Sequence, residues 1–99
     1  MEKDMEIPKR FKLINTTAEV EKSNSFNNVS GHLGYSNYSE NKIQLDDSTY
    51  WRCHQEEGFC HELTHWILFK MQSDLEKDEK FVGLFGELLC QALSTQERE

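Results

Sequence analysis

The chain has 99 residues, 36% of them apolar and 29% charged, with 18 acidic against 11 basic side chains and a formal charge of −7. Such a length supports one small domain, because a chain of this size buries only about 60–65% of its unfolded surface. The acidic balance argues against a nucleic-acid partner, which needs clustered Lys and Arg, and no apolar run of about 18 residues is present to span a membrane. Lys9, Arg10 and Lys12 form the one basic cluster, among acids. Residues 1–6 lack the basic and then apolar start of a signal peptide, so a cytoplasmic location is expected. Cys53, Cys60 and Cys90 are odd in number and form no CxxC pair, which favours buried thiols over a disulfide framework.

In chain order, residues 7–95 read as the domain, with residues 1–6 and 96–99 as flexible ends. Phe11 to Ile14 and Ala18 to Glu21 are short runs with β-branched or aromatic residues around Asn15, Thr16 and Thr17, consistent with a strand or a hairpin. Residues 23–30 are almost all Ser and Asn and predict a mobile loop. Two further short strands are expected between Tyr35 and Leu45. In the second of them strict alternation sends Ile43 and Leu45 to the core and Lys42 and Gln44 to solvent. Asp46 to Thr49 supplies several N-caps for a helix from about residue 49 or 50 to Gln72. Gly58 within it costs about 1 kcal/mol relative to Ala and could separate its first two turns. Ser73 to Glu76 has the form of a capping box. It opens a second helix to about Thr95, with Phe81, Leu84, Phe85, Leu88, Leu89 and Leu93 as its apolar positions. Short strands followed by two helices imply an α+β domain with the helices on one side of a small sheet.

Inside the first helix lies His61-Glu-Leu-Thr-His65, the HExxH arrangement, expected by chance only about 0.02 times in a chain of this composition. Residues i and i+4 share a helix face with β-carbons about 5–6 Å apart, so two imidazoles can reach one Zn²⁺. Glu62 is rotated about 100° from His61, placing its carboxylate beside the ion as a general base for an activated water rather than as a ligand. A catalytic zinc site needs a third protein ligand, and His54, Glu57, Asp78, Glu79, Glu87 and Cys90 are the candidates. Glu57 fails because i, i+4 and i+8 on one helix span about 12 Å, and His54 fails unless the chain bends at Gly58. A reverse turn after Gln72 would bring the second helix back. There Glu79, Gly83, Gly86 and Cys90 share a face of small residues suited to close approach. Glu79 leads that stripe, Glu87 lies about 80° away on the more exposed side, and Cys90 would make a site typical of structural zinc.

The segment Phe59 to Ile67, followed by Glu79 to Leu89, resembles the zinc-peptidase domain of the ImmA/IrrE type, and more closely the small stand-alone phage and prophage metallopeptidases of that kind. In that family the HExxH helix is followed by a helix reading roughly Glu-x-x-Ala-x-x-Phe-Ala-x-x-Leu-Leu, led by the third zinc ligand. The match sets Glu79 at that glutamate, Val82 and Gly86 at the small positions, Phe85 at the aromatic, and Leu88 and Leu89 near the end. It is strong over residues 59–89 and extends weakly to residues 7–95. The resemblance implies a minimal zincin-like fold, in which the strand before the active-site helix binds extended substrate along its edge. It also implies a zinc-dependent peptidase in a bacterial cytoplasm, the host's if phage-encoded, acting on a protein or peptide such as a phage repressor or a host regulatory protein. Val82 stands where the family has a small residue, and no Tyr or His matches the family's pattern for a transition-state role, for which His32, Tyr35, Tyr38 and Tyr50 are the candidates. Two readings compete with the peptidase. One is a zincin-like module that holds a host or phage regulatory or defence protein without turnover. The other is a purely structural zinc closed by Cys90 or His54. Sequence leaves the oligomeric state open.

Overall fold

The alternation expected for residues 41–45 is realised as a strand whose Ile43 and Leu45 are wholly buried, while Lys42 and Gln44 lie on the opposite face. The computed structural model describes residues 6–23, 34–46 and 52–97. Among these, four strands, β1 (Arg10–Leu13), β2 (Thr16–Ser23), β3 (Gly34–Asn37) and β4 (Lys42–Asp46), precede two α-helices, α1 (Arg52–Lys70) and α2 (Glu79–Ser94). A 3₁₀ turn at Asp74–Lys77 joins the helices. The architecture is α+β, as the order of sequence patterns implies.

The sheet has the order β1-β2-β4-β3, with β2 and β4 parallel and the two outer pairs antiparallel. Of the two arrangements expected for residues 11–21, a strand or a hairpin, β1 and β2 form the hairpin. Leu13 pairs with Thr16, which leaves Ile14 and Asn15 as a two-residue turn. Ile14, expected in the first strand, therefore falls in the turn and adopts φ 58°, a conformation that a β-branched residue tolerates poorly. On the solvent face Arg10 and Glu19 (3.7 Å), and Lys42 and Glu21 (3.6 Å), form exposed ion pairs that contribute little to stability.

α1 lies against β3 and β4, and α2 packs on α1. Trp66 fills the space between sheet and α1, 1% exposed, with Phe11 (6.1 Å) and Tyr38 (4.9 Å) meeting its ring edge to face. Ala18, Ile43, Leu45, Phe59, Cys60 and Cys90 complete this core. Lys70 Nζ donates to Thr16 Oγ1 at 2.6 Å and ties the end of α1 to β2. The helix runs unbroken through the buried Gly58, so its first turns are not a separate segment. Of its expected N-caps at residues 46–49, Asp46 instead ends β4, and of the Ser/Asn loop expected over residues 23–30, Ser23 ends β2; residues 47–49 and 24–30 lie outside the described residues.

α1 ends as a reverse turn with Gln72 at φ 56°. The Ser73 amide donates to Leu68 O and the Gln72 amide to Phe69 O, both at 3.0 Å, which satisfies two of the helix's last carbonyls in a Schellman arrangement. The second helix expected from Ser73 divides here. Ser73 caps the 3₁₀ turn by accepting from the Leu75 amide, and Asp78 caps α2 by accepting from the Phe81 amide at 3.1 Å.

α2 is turned differently from the expectation. Val82, Gly86 and Cys90, four apart, make its buried stripe, whereas Leu84, Phe85 and Leu88 are 59%, 47% and 56% exposed. Close approach decides this orientation. A Cβ at Gly86 would stand 3.0 Å from His61 Cα and 3.2 Å from His61 N, so only a residue without one lets α2 seat directly on the α1 backbone. Gly83, assigned to the same stripe from sequence, has nothing within 4 Å of such a Cβ.

Candidate metal centre

His61 and His65 stand one turn apart on α1, their ring centroids 5.0 Å from each other. Seating α2 through Gly86 brings its first residue, Glu79, to both rings. Glu79 Oε2 lies 3.2 Å from His61 Nε2, and Glu79 Oε1 lies 3.1 Å from His65 Nε2. These donor atoms all fall within 4.8 Å of one another and could hold a metal ion. Bonds of 2.0–2.1 Å at a tetrahedral angle place ligand atoms about 3.4 Å apart; the two imidazole–carboxylate spacings, each to a different oxygen of Glu79, are near that value, and the three residues would draw together around an ion. Two neutral imidazoles and a carboxylate are also the donor chemistry such a cation takes.

Glu62 enters the same open cleft of about 220 Å³, whose walls include Gly34, Ser36, Tyr38, His61, Glu62, His65, Glu76 and Glu79. It is 7% exposed and stays on the sheet side of the cleft. Ser36 pairs with Ile43 and Gly34 with Leu45, so period two turns both towards α1. Ser36 Oγ donates to Glu62 Oε1 at 2.7 Å, and a Cβ at Gly34 would come within 3.0 Å of Glu62 Cγ. The strand therefore both leaves room for the carboxylate and fixes it with a short charge-assisted hydrogen bond.

On the other side, His65 is 8% exposed and its Nδ1 meets Glu76 Oε2 at 3.1 Å. The Tyr38 hydroxyl donates to the same oxygen at 3.3 Å. Tyr38 stacks on Phe69 at 4.1 Å, and its phenol is raised well above the ordinary range, first by burial and then by the Glu76 charge. It therefore remains a proton donor. Glu76 does not return to the Ser73 amide as a capping box would. The residue read from sequence as a cap is a partner of the site.

The structure thus brings His61, His65 and Glu79 together, with Glu62 lining the same cleft. The other candidate ligands fall away among the described residues. Glu57 and Glu87 are exposed and outside the cluster, and Asp78 is occupied as a cap. Cys90 is buried in the core with Cys60, whose thiol is pushed up to about 12, chiefly by burial and next by Cys90. Tyr35 lies at the cleft wall, more than half exposed. His32, Tyr50 and the side chain of His54 lie outside the described residues. Ser36, Gly34 and Glu76 are not legible as site residues, because each acts through tertiary contact, and the capping-box pattern that includes Glu76 points to a different role.

β4, the strand before α1, is paired on both sides, so its edge is not open to an extended ligand; β3 is the outer strand beside the cleft. None of the described helices is long and apolar enough to cross a membrane. The chain matches no known protein-family model, no curated protein and no solved structure.

Proposed function

We propose that the chain is a zinc-dependent metallopeptidase with a minimal zincin-like fold, of the kind the ImmA/IrrE resemblance implies. The observation that carries the reading is the grouping of His61, His65 and Glu79, with one ligand atom from each within 4.8 Å of the others, in a cleft that also holds Glu62. His61, His65 and Glu79 hold the ion. Zinc, when bound, supplies Lewis-acid polarisation and makes water a usable nucleophile near neutral pH. Glu62 receives a proton at its carboxylate from the attacking water and returns it to the departing amine. Ser36 holds that carboxylate in place by its hydrogen bond to Oε1. Substrate is a protein or peptide lying along β3, which among the described residues has no strand paired on its outer side.

The test is cleavage of a degenerate peptide mixture, followed by mass spectrometry, with and without zinc. Wild-type protein is expected to cut only when loaded, and Glu62→Gln to bind zinc normally and to lose cleavage. Equal cleavage by Glu62→Gln would remove the mechanism. The exposed Leu84, Phe85 and Leu88 on α2 favour a second reading, a zincin-like module that holds a regulatory or defence protein without turnover. It is distinguished by zinc binding without cleavage of any peptide.

A further inference from the structure

His65 has both ring nitrogens occupied, Nε2 towards Glu79 and Nδ1 towards Glu76, each at 3.1 Å. A neutral imidazole carries one N–H and one lone pair. If Nε2 gives its lone pair to a cation, Nδ1 keeps the proton and needs an acceptor on the far side of the ring. We infer that Glu76 is a positioning residue for the metal centre, accepting the Nδ1 proton of His65 and being itself held by the hydroxyl of Tyr38. The inference rests on the metal reading above and adds to it the group that makes His65 competent before any ion arrives.

The support for this role runs through three separate parts of the chain. Glu76 lies in the 3₁₀ turn, with its side chain only 22% exposed, and faces the ring edge opposite Glu79. It is absent from the group of atoms that could share an ion, so it serves the histidine and not the metal. Tyr38 follows β3 and is fixed by Phe69, stacked at 4.1 Å, and by Trp66, edge-on at 4.9 Å. The rigidity of the aromatic core thus passes through one hydroxyl and one carboxylate to the imidazole. A carboxylate in this place also raises the basicity of the ligating nitrogen and fixes its tautomer. His61 differs. Its side chain is 32% exposed, and among the described residues its one polar contact is Nε2 to Glu79. His65 is the preorganised ligand of the pair and His61 the adaptable one.

The test measures Zn²⁺ affinity by competition with a chromophoric chelator in wild type, Glu76→Ala, Glu76→Gln and Tyr38→Phe. It also records the His65 Nδ1–H resonance in the zinc-loaded proteins. Glu76→Ala is expected to weaken zinc binding by about 10–100-fold and to lose the slowly exchanging Nδ1 proton. Glu76→Gln, whose amide oxygen still accepts, should restore the resonance and most of the affinity. Tyr38→Phe keeps both ring contacts and should weaken binding by about 2- to 10-fold, the worth of one hydrogen bond. It decides the matter if Glu76→Ala fails to fold. Unchanged zinc affinity in Glu76→Ala, or in Tyr38→Phe where that variant decides, overturns the role of Glu76 and leaves the metal site standing. A wild-type chain that does not bind zinc overturns the metal reading and this inference with it.

Discussion

Two glycines on α2 give opposite expectations for one and the same substitution. Replacing a mid-helix glycine by alanine is favourable by about 0.8–1.0 kcal/mol, because alanine loses less backbone freedom on folding. At Gly83 nothing lies within 4 Å of the new methyl, so that gain should appear whole. At Gly86 the methyl would stand 3.0 Å from His61 Cα, 3.2 Å from His61 N and 3.3 Å from Cys60 C. All three are backbone atoms of α1, which cannot rotate away, so the helices must part by a few tenths of an ångström. Overpacking of this kind costs about 1–3 kcal/mol, and after the propensity gain Gly86→Ala should be destabilised by about 0–2 kcal/mol. Denaturant unfolding of the metal-free proteins measures both. In a chain of this length 1 kcal/mol is about 4–8 °C in Tm, so Gly83→Ala should melt several degrees higher and Gly86→Ala lower. Parting the helices also draws Glu79 away from His61, so Gly86→Ala should lose zinc affinity and Gly83→Ala should keep it. Stabilisation by both substitutions, or zinc binding by Gly86→Ala equal to wild type, would refute this account of the helix contact.

The remaining predictions concern the carboxylate of Glu62 and the buried thiol. Gly34→Ala places a methyl 3.0 Å from Glu62 Cγ and 3.2 Å from Gln44 O, so under the proposed mechanism it should displace Glu62 and lower kcat about tenfold or more while zinc affinity is kept. A steady-state assay beside a zinc titration checks the split. Ser36→Ala removes a charge-assisted bond worth about 1.5–3 kcal/mol and should act in the same direction on kcat. Cys60 stays protonated in the fold up to about 12, whereas the same thiol ionises near 9.0 when exposed. The folded state therefore holds a proton that the unfolded state has lost, and stability present below pH 9 declines as pH rises towards 12. Urea unfolding across that range should show the decline. Iodoacetamide at pH 8 should spare Cys60 until the chain unfolds.

Legibility from sequence followed the range of the interaction. His61, His65 and Glu62 could be read because one helix turn fixes their relation, and Ile43 and Leu45 because strand alternation does. Glu79 was reached by combining a reverse turn with a stripe of small residues, and Gly86 turned out to be the part of that stripe that matters. The facing of α2 is legible only in part: Gly86 and Cys90 lie on the buried side as their small-residue stripe implies, but the large apolar residues mislead. Leu84, Phe85 and Leu88 have the helical period of a core face, yet Gly86 seats the helix through backbone contact and leaves them outward. Glu76 was misread because its spacing from Ser73 satisfies a local rule that a buried histidine eleven residues earlier overrides. Ser36 and Gly34 depend on the register of β3 against β4, which nothing within β3 announces.

The central claim is an open zinc centre held by three protein ligands, and anomalous diffraction at the zinc edge from crystals of the zinc-loaded protein tests it most directly. The account predicts one ion within about 2.0–2.2 Å of His61 Nε2, His65 Nε2 and a Glu79 oxygen. The fourth position should be taken by water, and Glu62 should stay on Ser36, outside the coordination shell. An ion elsewhere, or a fourth protein ligand closing the site, would contradict it.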